Sequence, residues 1–293
     1  MTTQVGDRKG PREPQVPRHH QLIVSLFGLY ARQHGGGLAV ATIIALMQDI
    51  GVESTGTRSS ISRLKKRGVI DSVQVGGRNG YALAPAVIET FNEGDERIFH
   101  PRRSKKGDQW LLATFTVPES QRHIRHKIRS SLVRMGFGSV TPGLWIAPGH
   151  LCDSVLAYFD TRGLNEYLEF FLADHVGGAD LHRNIGSWWD LPALDALYSD
   201  FLEHNRGILE AWLRRDKLPA DHDSDARAFA DYLVLITQWR RLPYLDPGLP
   251  IEFLPENWNA LEAERLFQQL HGLLAPRAER HADRAIEDHV VAG

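Results

Sequence analysis

Cysteine is almost missing: the 293 residues contain one, Cys152. A single thiol excludes an internal disulfide and any metal site built from several cysteines, and it suits a reducing cytoplasm. No apolar run approaches the ~20 residues that a membrane-spanning helix needs. Residues 1–16 are polar and carry prolines, with no apolar core for export, and are expected to form a disordered tail. Also absent are G-x-S-x-G, a phosphate-binding glycine loop and a dinucleotide fingerprint, so no catalytic residues can be nominated. Net charge is lacking too: 34 Lys and Arg against 36 Asp and Glu leave a formal −2. Partners must therefore be sought in how the charge is distributed.

That distribution is uneven. Between Gly56 and Leu83 stand Arg58, Arg63, Lys65, Lys66, Arg67 and Arg78, against one acid, Asp71. Helical spacing of apolar residues places helices over Arg18 to Gln33 and Leu38 to Asp49, and Ser54 or Thr55 can cap a third that runs to about Arg67. Two β-rich stretches follow, Val69–Val75 and Tyr81–Leu83, joined by Gly76-Gly77-Arg78-Asn79-Gly80. Three helices and a hairpin make a winged helix-turn-helix, assigned to residues 17–92. On the third helix Thr57, Ser60, Ile61 and Leu64 share the packing side. Thr55, Ser59, Ser62, Arg63 and Lys66 fall on the other, and Arg58 lies on the flank. Short hydroxyls and long cations on one face suit a helix in a major groove, and Arg78 at the wing tip suits the adjacent minor groove. A charged outer face alone also describes a solvated helix; the two preceding helices, the hairpin and Arg78 decide for double-stranded DNA.

Beyond this unit, residues 93–108 are polar and broken and are assigned to a linker. A strand, helix, strand, strand, helix and strand then follow over 109–180, the order of a ferredoxin-like βαββαβ domain. Residues 186–276 are helical and punctuated by prolines, and 277–293 are expected to be a frayed helix or tail. The fold class is therefore α+β and multidomain. The helical region is rich in large aromatics. Trp239 is followed by Arg240 and Arg241 at a helix end, where cations suit the dipole or can hold an anionic effector beside an aromatic wall. The 14 histidines form no recognisable ligand set, and Asp221–Asp225 lacks the glycine and distal glutamate of a calcium loop, so no metal and no cofactor are expected.

Three stretches resemble the PaaX-like transcriptional regulators, the repressors of phenylacetic acid catabolism. They are RSSISRLKKRGVIDSVQVGGRNGYAL, then WLLATFTVPES with VRMGFGSVTPGLWIAP, and WRRLPYLDPGLPIEFLPENW, whose D-P-x-L-P-x-x-x-L-P-x-x-W spacing runs from Asp246 to Trp258. The resemblance implies a cytoplasmic homodimer on an imperfectly palindromic operator, released by phenylacetyl-CoA or another acyl-CoA. It also implies a middle domain like the CRISPR-associated ferredoxin-like endoribonucleases, which opens the alternative of a metal-dependent nuclease. Those enzymes keep an aspartate at the end of the first strand; here that strand ends Thr114-Phe115-Thr116-Val117-Pro118. The basic helix carrying Arg122, Arg125, Lys127, Arg129 and Arg134 can add phosphate contacts or simply face water.

Overall fold

The computed structural model describes residues 17–177, 180–215 and 221–291. The segment expected to be a disordered tail, 1–16, lies outside them. The chain begins with α1 (His19–Leu26), which buries Leu22, Ile23 and Leu26 and continues through a π turn and a 3₁₀ turn to His34. A short strand not foreseen from the sequence, β1 (Gly37–Ala39), precedes α2 (Val40–Asp49) and α3 (Ser54–Lys66). The N-cap of α3 is Glu53 rather than Ser54 or Thr55, with no side-chain capping bond. The hairpin is β2 (Ile70–Val75) and β3 (Arg78–Leu83), and the sheet order is β1-β3-β2, all antiparallel. Its turn is only Gly76-Gly77, so Arg78 opens β3 opposite Val75 instead of lying within a five-residue tip. Gly80 has a steric role: a Cβ there would lie 2.6 Å from the Leu38 carbonyl oxygen on the neighbouring β1.

The first half of the expected linker is helical. Pro85 supplies the fixed φ of a first helical turn, and α4 (Pro85–Phe99) runs through residues 93–99. The sequence there reads as polar because one face of the helix is solvated. The middle unit follows as β4 (Trp110–Phe115), α5 (Arg122–Arg134), β5 (Gly138–Thr141), β6 (Leu144–Pro148), α6 (Cys152–Asp160) and β7 (Leu168–Ala173). Its four-stranded antiparallel sheet has the order β5-β6-β4-β7. Alternation along β4 serves two faces. Leu111 and Ala113 join a core with Ile128, Leu132, Val155 and Phe159 of α5 and α6, while Trp110 points to the other face.

That other face belongs to a second, larger core. Helices α7 (Leu181–Trp188), α8 (Leu191–Arg215), α9 (His222–Trp239), α10 (Leu242–Leu245) and α11 (Ala260–Val291) complete the chain. Their buried residues form one continuous cluster with those of α1, α2, α3 and the hairpin. Tyr30 packs against Phe229 at 5.7 Å, Thr237 donates to the Ser25 hydroxyl at 2.8 Å, and His281 meets Asp49 at 2.7 Å. The two ends of the sequence therefore fold together, with the middle unit inserted between them. Residues 277–291, expected to be a frayed helix or tail, are the last turns of α11. Ala278, Ala282 and Ile286 are buried at four-residue spacing, and the helix passes through Pro276. No helix among the described residues is long and apolar enough to cross a membrane.

Candidate nucleic-acid interface and an arginine-lined cavity

Helix α3 sorts its residues as its periodicity requires. Thr57, Ser60, Ile61 and Leu64 are buried against α1, α2 and β2. Thr55, Arg58, Ser59, Ser62, Arg63 and Lys66 are all exposed. A groove of about 660 Å³ separates α3 from the hairpin, and Arg58, Ser62 and Lys65 line its helix side. Ser72, Gln74 and Asn79 line its strand side, and the Gln74 amide donates to the Asn79 side chain across the hairpin at 3.0 Å. Arg58, Ser62 and Lys65 lie at i, i+4 and i+7, so Lys65 was available to a reading of the sequence that followed this stripe. The hairpin polars were hidden, because only strand register shows which side chains face the helix. Basic side chains also gather around His20 at the start of α1. Burial lowers the pKa of His20, and Arg67, Arg18, Arg63 and Arg240 lower it further.

A second concave site lies where the middle unit, the segment after α4 and the α10–α11 connection meet. It encloses about 430 Å³. Its frame is the proline-rich motif. Asp246 accepts from the Tyr198 hydroxyl at 3.1 Å, from Arg103 at 3.2 Å and from the Gly248 amide at 2.8 Å. Gly248 has φ 71°, and a Cβ there would collide with the Arg102 carbonyl oxygen. Arg103 also pairs with Glu264 at 3.1 Å. Burial would lower the Arg103 pKa, but Asp246 and Glu264 together raise it; burial lifts the Glu264 carboxyl above its usual range. Arg97 donates to the Pro243 carbonyl at 2.8 Å and lies 5.0 Å from the Tyr244 ring centroid, and burial lowers its pKa. Opposite, Arg134 donates to the Tyr158 hydroxyl at 2.8 Å and Arg162 lies 3.7 Å from the same ring's centroid. His150 is exposed and shares a 2.9 Å hydrogen bond with the Ser104 hydroxyl, and its pKa is lowered to about 4, first by desolvation and then by Arg97 and Arg102. Its ring is therefore neutral at physiological pH.

Family models match in three consecutive stretches: PaaX-like protein over residues 18–87, the PaaX protein central Cas2-like domain over 103–185, and the PaaX-like protein C-terminal domain over 189–284. The chain belongs to the PaaX-like family. The transcriptional repressor PaaX of Escherichia coli K12 is 26% identical over 260 residues, covering 88% of this chain and 80% of its own. The solved structure of the uncharacterized protein Rv0674 from Mycobacterium tuberculosis shares the fold at a TM-score of 0.54 and 18% identity, covering 91% of this chain and 99% of its own.

In this PaaX-like chain the three residues read as an effector site lie apart from the cavity. Trp239 is fully buried, stacks on Phe267 at 4.5 Å and donates its indole N–H to the Ile98 carbonyl at 2.9 Å. Arg240 reaches back to the Gln21 carbonyl of α1 at 3.5 Å, and Arg241 is exposed. None of the three lines the cavity. An aromatic beside two cations looks like a ligand wall in one dimension; at 100° per residue the aromatic turned inward to the core and the cations did not follow it. The cavity's own arginines were missed because they come from three distant segments, around Arg97, Arg134 and Arg162. Among the described residues no group of three or more His, Cys, Asp or Glu is placed to hold a metal ion.

Proposed function

We propose that this chain is a DNA-binding transcriptional repressor of an aromatic-acid, phenylacetate-type catabolic operon, working in the cytoplasm as a homodimer on double-stranded operator DNA. The observation that carries the reading is the exposed face of α3, with Arg63 and Lys66 open to solvent and Arg58 and Lys65 lining the groove beside a polar hairpin. Helices α1–α3 with the β1-β3-β2 sheet support a winged helix-turn-helix. The β5-β6-β4-β7 order supports a ferredoxin-like middle domain. The E. coli relative, a transcriptional repressor, supports the direction of control and a role other than catalysis. Thr55, Ser59 and Ser62 approach phosphates or base edges, Arg58 and Arg63 read bases, Lys66 holds phosphate and Arg78 follows the wing into the minor groove. Support for a dimer comes from β7, an edge strand whose Phe171 and Leu172 are about half exposed. An unpaired edge with apolar side chains favours a second copy. Release would follow binding of an aryl-CoA or related anion that favours a dimer geometry mismatched to half-sites one helical turn apart.

Fluorescence anisotropy with the DNA upstream of the chain's own gene tests this reading. Sequence-selective binding that weakens steeply with salt is expected. Arg63→Ala should abolish selective binding and leave thermal stability within about 0.5 kcal/mol of the parent, as for an exposed residue. A variant that loses folding instead, or a parent that binds no sequence selectively at any salt, would overturn it.

A further inference from the structure

Helix α5 of the middle unit has charge of one sign only. Its sequence, RHIRHKIRSSLVR, contains no acid from Arg122 to Arg134. One side of the helix buries Ile128, Ser131 and Leu132 against the sheet. The opposite side is open, and His123, His126, Lys127, Arg129 and Ser130 line a shallow depression of about 630 Å³ there. Among the described residues, Glu119 is the acid that meets this helix, and it is taken by Arg122 at 3.0 Å and Arg125 at 3.3 Å. Lys127 and Arg129 have no ion pair among the described residues. Arg129 donates only to the Pro142 carbonyl, at 3.3 Å.

This pattern works against the helix itself. Arg122 and Arg125 stand in its first turn, where the positive end of the dipole disfavours cations. Arg125 and Arg129 form a like-charge pair at i, i+4, which is destabilising. A face that merely meets water is built differently, as α8 shows. Its exposed Asp200, Glu203, Arg206, Glu210 and Arg214 mix both signs. The repulsion along α5 is relieved when a polyanion lies against it, since each cation then gains a counter-charge.

The fold brings this face within a short distance of the wing. Helix α4 follows β3 after the single residue Ala84, and its Arg97 donates to the carbonyl of Met135, the residue after α5, at 3.4 Å. From Pro85 to Arg97 the helix spans about 18 Å. That is less than one turn of B-DNA, about 34 Å. A duplex seated on α3 and the hairpin extends past that length on either side.

Resting on the DNA-binding reading above, we propose that the outer face of α5 is a second contact with duplex DNA. Lys127 and Arg129, with the imidazoles of His123 and His126 between them, hold phosphates of the backbone and read no sequence. The contact adds affinity and salt dependence, and leaves the choice of site to α3.

The test is fluorescence anisotropy of the full chain across a salt series with two duplexes of equal length. One is the DNA upstream of its own gene, running about two helical turns past the selected site at each end. The other is unrelated in sequence. Lys127→Gln/Arg129→Gln should lose about tenfold or more in affinity for both at roughly 0.1 M salt, and its slope of log affinity against log salt should be shallower by about 2. The ratio between the two duplexes should stay as in wild type, whereas Arg63→Ala collapses it. Lys127→Arg should bind as wild type does. The melting temperature of the paired variant should be unchanged or higher, because like-charge repulsion is removed. Affinity and slope equal to wild type on both duplexes overturn the proposal and leave the face to water or an acidic protein. A fall in melting temperature together with affinity assigns the pair to the fold and also overturns it. A wild type that binds both duplexes alike sinks the repressor reading, and the paired variant still decides for or against α5. A wild type that binds neither overturns both.

Discussion

Replacing Asp246 with alanine removes one carboxylate from three donors at once. The Tyr198 hydroxyl and the Gly248 amide are enclosed, and each loses its acceptor; an unsatisfied buried donor costs about 1–3 kcal/mol. Arg103 retains Glu264 and the Leu249 carbonyl, so its charge is weakened rather than stranded. Water from the adjoining cavity can reach part of the gap. The sum falls near the cost of about 3–5 kcal/mol for breaking a buried pair. Asparagine should cost less, because it keeps one oxygen, but its amide must face either Gly248 or Arg103 as a second donor. The assay is urea unfolding followed by tryptophan fluorescence, since Trp239 and Trp258 are both buried near this site. The expected order of midpoints is wild type, then Asp246→Asn, then Asp246→Ala, with the slope retained. An alanine variant within about 0.5 kcal/mol of wild type would refute the reasoning and reduce the motif to a loop of convenience.

The pH dependence has a defined sign. Burial alone would raise the Asp225 pKa, but bonds from Arg280 and Arg284 outweigh it and the pKa is lowered. A carboxyl depressed in the folded state contributes stability that is full above its unfolded pKa and is lost as pH falls through the folded one. In Asp225→Asn the drop in melting temperature between pH 7 and pH 3 should therefore shrink, which thermal scans at the two values measure. Deleting residues 277–293 should lower the melting temperature and weaken operator binding together, because it strips Ala282 and Ile286 from the shared core and His281 from Asp49. Calorimetry and anisotropy on the truncated chain check both.

Local signals were legible where one residue type has one local consequence. Glycines at 51, 68, 76 and 77 ended helices or turned the hairpin, each at positive φ. Apolar residues at helical spacing located α1 and α2, and the packed face of α3 was readable residue by residue. Three things escaped. The polar run over 93–99 of α4 reads as a linker, because a half-solvated helix and a loop share a composition. The strand β1 is three residues long and exists only because β3 lies beside it, a contact with no trace in local sequence. The cavity was invisible for the same reason on a larger scale. Its lining is gathered from distant segments, and the acid that engages Arg103 at 3.2 Å lies 143 residues away.

The folding together of both ends of the chain bears on how such regulators diversify. A reader head on a flexible tether can be exchanged between proteins by recombination, and new operator–signal pairings follow cheaply. Here a crossover after residue 92 would separate Tyr30 from Phe229, Ser25 from Thr237 and Asp49 from His281. The two ends are inherited as one unit, and the inserted middle is held to them through Trp110 and Ile146, which join the same core. New specificity in this architecture is therefore reached by point substitution on the exposed face of α3, with the buried half of the same helix held fixed.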